Sequence, residues 1–169
     1  MKRFVKIILT LMIFVTQAYA DENSSVKTHG SCNLTLRVIK AINKDNSSAE
    51  KTVMSGDYLA DLSEQLSPLP YKRFTTISAE ERTLMEGEEI NFAIDKDEPK
   101  TSLYLALSDI YCHGAEMMID WTKGPEKTCI FASKLRLLND KNWVVAAENE
   151  DGSSTIISLK VKCVSNNDQ

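Results

Sequence analysis

Apolar and polar residues alternate most clearly in the last third of the chain. Three short runs, Thr128–Leu138, Trp143–Glu148 and Thr155–Cys163, are separated by Asn139–Asn142 and by Asn149–Gly152. In the final run Ile157, Leu159, Val161 and Cys163 alternate with Ser158, Lys160 and Lys162. A period of two places the first set on one face of a strand and the second on the other. Asp151–Gly152 offers the positive φ of a tight hairpin turn. The pattern predicts a sheet with one apolar face that the rest of the chain must cover.

Earlier residues extend this picture. Cys32–Ile42 reads as a strand with Cys32, Leu34, Leu36 and Val38 on one face, and Asn43–Lys51 reads as a polar loop extending to Ser55. A helix is predicted over 57–67, because Tyr58, Leu59, Leu62 and Leu66 fall at helical spacing. Ser55 or Asp57 would cap its start, and Pro68 would stop it. Leu69–Ile77 follows as an extended segment, and Ala79–Leu84 as a short turn. Further strands carry Ile90, Phe92 and Ile94; then Leu103, Leu105 and Leu107; then Met117, Ile119 and Trp121. The short connections predict antiparallel neighbours, and only the link through the helix is long enough for a parallel crossover. The expected class is α+β, a mostly antiparallel sheet or sandwich of about eight short strands with one early helix at 57–67.

The ends refine the domain limits. Lys2, Arg3 and Lys6, the apolar run Ile7–Val15 and the small residues of Ala18–Tyr19–Ala20 read as a secretory signal peptide spanning 1–20, cleaved after Ala20. Residues 21–31 read as a disordered leader, 32–164 as one disulfide-braced domain and 165–169 as a tail. The expected location is the periplasm or the secreted fraction. The signal peptide holds three of the 20 basic residues and none of the 24 acidic ones, so the cleaved chain has a net charge of −7. That balance argues against nucleic acid and anionic membrane surfaces. No later apolar run reaches the ~18 residues of a membrane-spanning helix, so stable membrane insertion is not expected.

Cys32, Cys112, Cys129 and Cys163 form an even set, which in an exported chain reads as two disulfides. In a simple up-and-down meander Cys112 and Cys163 share one end of the sheet, while Cys129 lies about 20 Å away. The pairing favoured on that ground is Cys112–Cys163 with Cys32–Cys129. The rival is Cys32–Cys163 with Cys112–Cys129. The cysteines are spaced too widely for a structural zinc site.

Candidate chemistry is sparse. His113 reads as a turn histidine, and His29 lies in the leader. No nucleophile, phosphate-loop or zinc-protease motif occurs, and no cofactor is implied. Glu80, Glu81, Glu86, Glu88 and Glu89, and Asp95, Asp97 and Glu98, read as solvated loops, since catalytic carboxylates sit among groups that tune their pKa. Neither Asp95–Glu98 nor Glu148–Asp151 matches a calcium loop. Trp121 and Trp143 read as core residues under the helix. Tyr71, Lys72, Arg73 and Phe74 pair two bases with two aromatics and form the candidate binding patch.

The stretch DYLADLSEQLSPLPYKRFTTIS and the terminal ENEDGSSTIISLKV resemble a group of small exported bacterial domains without an assigned activity. The resemblance covers most of 33–162. It implies a fold and a compartment and no chemistry, and the four cysteines lie outside its pattern. The functional expectation is a non-enzymatic module that binds or assembles with another protein. The alternatives are a secreted inhibitor of a lysozyme or protease, and a small carboxylate-based hydrolase.

Overall fold

One strand, β1 (Gly30–Ile42), carries buried apolar residues on both faces, and that property sets the layering. Cys32, Leu34, Leu36 and Val38 point one way and are buried; Ile39 and Ala41 point the other way and are equally buried. A strand with two apolar faces must be covered twice. The computed structural model describes residues 30–42, 53–55, 57–94 and 101–165. Within them β1 sits at the centre of a five-stranded sheet, order β2-β3-β1-β9-β8, where β2 is Val53–Ser55, β3 Arg73–Met85, β8 Asn142–Glu148 and β9 Ser154–Ser165. A second, four-stranded sheet runs β4-β5-β6-β7, with β4 Glu89–Ala93, β5 Thr101–Tyr111, β6 Gly114–Lys123 and β7 Thr128–Leu138.

The second sheet covers the first face of β1. Leu103, Leu105, Leu107, Met117, Ile119 and Trp121 pack there against Leu34, Leu36, Leu159 and Val161. A short helical segment covers part of the other face. Leu59, Leu62 and Leu66 are wholly buried against Ile39, Ala41, Phe74 and Ile156. Each leucine so buried contributes about 1.5–3 kcal/mol. The architecture is mostly antiparallel β-sheet with one short helix.

The helix is shorter and tighter than the spacing predicts. Asp57–Leu62 is 3₁₀ and only Ser63–Leu66 (α1) is α-helical. The leucines explain the change. Leu59 and Leu62 are three apart, which eclipses in a 3₁₀ turn; Leu62 and Leu66 are four apart, which aligns in an α-helix. The side chains of Asp57 and Tyr58 lie outside the described residues, as do 1–29 and therefore the signal peptide and most of the leader.

Other expectations change for equally specific reasons. Ala79–Leu84 is strand, continuous with β3; its mixed charges hid the alternation because both faces are wet there. β2 adds a ninth strand among the described residues. It pairs parallel to β3, so the helical segment is its crossover, whereas β3 itself is antiparallel to β1. The last third does not form one meander: β7 ends in the second sheet and β8 begins in the first. Trp121 is buried between the sheets and not under the helix, and Trp143 packs at the sandwich margin, 5.5 Å from Phe131. The β8–β9 turn is as expected, with Gly152 at φ 76°.

The favoured disulfide pairing is overturned. Cys32 lies directly opposite Cys163 on adjacent strands, and these two are bridged, with Cα atoms 4.0 Å apart. Cys112 and Cys129 are free and exposed. Gly114 pairs with Leu138 and Thr122 with Cys129, so at roughly 3.3 Å per residue the two thiols stand about 26 Å apart at opposite ends of β6. The bridge closes a separation of 131 residues. Replacing Cys32 and Cys163 by serine is expected to lower unfolding free energy by about 2–4 kcal/mol in urea titrations. The unfolded, unreduced protein should titrate two thiols; a count of zero would contradict the assignment.

Candidate functional site

Among the described residues the outer face of the five-stranded sheet is only half covered, and the boundary is a polar clamp. Arg37 is 8% exposed on β1, and a cation that deep needs a partner. Its Nη1 donates to Asp61 Oδ1 at 2.7 Å. Asn142 Nδ2 donates to both the carbonyl and the carboxylate of Asp61 at 3.2 Å, and Gln65 Nε2 donates to the Asn142 carbonyl at 3.2 Å. Lys160 Nζ stands 3.9 Å from the same carboxylate. The helical segment is thereby tied to β1, β8 and β9. Burial pushes the Asp61 carboxyl upward, but hydrogen bonds from Arg37 and Asn142 and the charges of Arg37 and Lys160 outweigh it and hold the group below its ordinary value.

Beyond the clamp the face opens into a furrow of about 430 Å³ across β3, β1 and β9. Two cross-strand rows form its floor. Thr83, Asn33 and Lys162 make one; Glu81, Thr35 and Lys160 make the other. Thr83 Oγ1 donates to Asn33 Oδ1 at 2.8 Å. Asp140 forms one wall, held by its N–H bond to the Val161 carbonyl at 2.9 Å. The mouth carries a third row, Met85–Ser31–Val164, in which Met85 is 50% and Val164 56% exposed.

A second feature is the edge of β3. Only Arg73–Thr75 pairs with β2, so from Thr76 onward β3 is bonded on one side among the described residues. The disulfide fixes which backbone groups point outward. A 4.0 Å Cα separation marks Cys32 and Cys163 as a non-hydrogen-bonded pair. Asn139 supports this, since its side chain accepts from Cys163 N at 2.8 Å and donates to Cys163 O at 3.2 Å, on the side away from β1. Cys32 therefore directs its backbone toward Leu84. By the alternation of the ladder, Leu84, Arg82 and Glu80 bond inward while Met85, Thr83, Glu81 and Ala79 point out. Glu88 takes the Met85 N–H at 2.8 Å. Among the described residues, Ala79, Glu81 and Thr83 are left with N–H and C=O groups facing the free edge.

No protein family, characterised protein or solved structure matches this chain. The site rests on geometry alone.

The predicted patch is not assembled as expected. Phe74 is wholly buried in the helix core, Tyr71 meets it edge-on at 6.3 Å and is half-buried, and only Lys72 and Arg73 are exposed. Phe74 lies in β3, whose alternation turns it inward, whereas Tyr71 precedes the strand. His113 is exposed in the β5–β6 turn, where its carbonyl accepts from Asn139 N. Glu80 pairs with Arg82 at 3.4 Å. Asp95–Glu98 lies outside the described residues, and no metal-binding cluster occurs within them. The furrow residues were missed because a lone charge on a strand's wet face looks like a solubilising group; the Lys160–Lys162 repeat was the visible signal.

Two outcomes are expected. Asp61→Ala should destabilise the protein by about 1–2 kcal/mol at neutral pH, a charged hydrogen bond discounted for the 38% exposure of the carboxylate side chain. The folded carboxyl lies below the ordinary 3.8, so its stabilisation is present above that value and is lost as pH falls through the lower folded value. Denaturation of both proteins from pH 7 to 2.5 should show the difference shrinking only below about pH 4. In hydrogen exchange, the amides of Ala79, Glu81 and Thr83 should exchange fast and those of Glu80, Arg82 and Leu84 slowly. Uniform protection would show that something covers the edge.

Proposed function

We propose that this chain is an exported, non-enzymatic binding module that takes an extended segment of another protein along the free edge of β3. The observation that carries the reading is the set of outward backbone groups at Ala79, Glu81 and Thr83. A strand laid beside them gains up to six main-chain hydrogen bonds without rearranging the domain. The edge is guarded against indiscriminate pairing. A bulge at Ile77 interrupts its upper part, and Glu80, Glu81 and Arg82 occupy its middle. Glu86, Glu88 and Glu89 follow at the β3–β4 turn, so the edge is acidic overall. The partner segment is accordingly basic, and its binding weakens with salt. Export is supported by the basic-apolar leader and by the Cys32–Cys163 bridge, which persists in oxidising compartments.

The test uses the oxidised protein and a Glu81→Pro variant. Proline at a residue whose N–H faces the free edge removes that donor and leaves the ladder to β1 intact. The native protein should capture an envelope partner that protects Ala79, Glu81 and Thr83 from exchange. The variant should keep its melting temperature and lose capture at least tenfold. Equal capture by a folded Glu81→Pro protein would sink the reading.

A further inference from the structure

The geometry points to the furrow as a binding site for an acidic saccharide, a role separate from strand docking because it uses side chains of the sheet face and not the β3 backbone edge. Three cations converge on its floor. Lys160 and Lys162 are two apart on β9 and share the outer face, roughly 7 Å apart along the strand. Arg37 lies diagonally across from Lys160, since Thr35 faces Lys160 and Arg37 faces Ser158. The chain as a whole carries a net charge of −4, whereas the lining of the furrow carries four cations, Arg37, Arg82, Lys160 and Lys162, against two carboxylates, Glu81 and Asp140. Asp61 offsets one cation of this group. Lys162 makes no ion pair among the described residues, and Arg37 keeps an Nε–H that is buried and without an acceptor there.

The remaining groups shape the choice of ligand. Asn33, Thr35 and Thr83 supply uncharged donors and acceptors, and Glu81 supplies a carboxylate acceptor on the side away from the lysines. A bare inorganic anion has no use for Glu81. A neutral sugar leaves the lysines unanswered. A molecule with a carboxylate at one end and hydroxyls at the other satisfies both: the carboxylate meets Lys160 and Lys162, and the hydroxyls donate to Glu81 and Asn33. The furrow, at about 430 Å³, falls in the size range of small-ligand sites.

Glucuronate, glucose and sodium sulfate titrated separately into the oxidised protein, followed by amide NMR, test this. Glucuronate should shift the signals of Asn33, Thr35, Lys160 and Lys162, with glucose and sulfate each binding at least tenfold more weakly. Lys160→Gln/Lys162→Gln should weaken glucuronate at least tenfold at unchanged melting temperature. If the double variant is destabilised through the Asp61 contact, Lys162→Gln alone, which breaks no ion pair among the described residues, should still weaken it severalfold. Sulfate or glucose binding as tightly as glucuronate, no localised shift, or equal binding by a folded variant would each overturn the assignment. Strand docking is read separately through Ala79→Pro, which removes an outward N–H of the β3 edge and no side chain of the furrow.

Discussion

The structure depends on one constraint: β1 carries apolar residues on both faces, and these must be covered on both sides. The second sheet covers one side along most of its length. On the other side only Ile39 and Ala41 need covering, so a helical segment of three buried leucines suffices. Among the described residues, everything beyond that short hydrophobic area is left open. The furrow and the free edge are thus consequences of economy in the third layer. They occupy the part of the sheet that the helix has no apolar reason to reach.

The border between covered and open halves is polar because Arg37 falls there. Its parity places it on the helix side of β1, one step past the last apolar residue. The helix answers with Asp61, and Asn142 and Gln65 extend the contact to β8. Such a network fixes the helix position more specifically than three leucines could, since hydrocarbon contacts are non-directional whereas hydrogen bonds are not. It also stands at the head of the furrow, so fold and candidate site share one set of groups.

The cross-strand disulfide works at the opposite end. It locks the register of β1 against β9, and through the alternation of the ladder it decides which amides of β3 face outward. Asn139 takes the place of a neighbouring strand beside Cys163 and anchors the crossing from the second sheet back to the first. Cys112 and Cys129 stay apart because β6 runs its full length between them, which no local rearrangement can remove.

Strand positions, the terminal turn at Gly152 and the apolar faces of β1 and β9 were legible in the residues, because a period of two reports burial on one side. The reading failed wherever both faces were alike. In β3, charges on both wet faces concealed the strand at Ala79–Leu84. Phe74 was taken as surface because a single aromatic does not declare which side it faces. The cysteine pairing rested on a meander, and a meander cannot show that the chain changes sheets after Leu138. Sequence alone determined most of the strands and their inner faces, since those follow from local periodicity. Only the tertiary structure decided strand order, the disulfide, the free edge and the furrow, since these depend on which strands become neighbours, and neighbours are chosen by contacts between residues far apart in the chain.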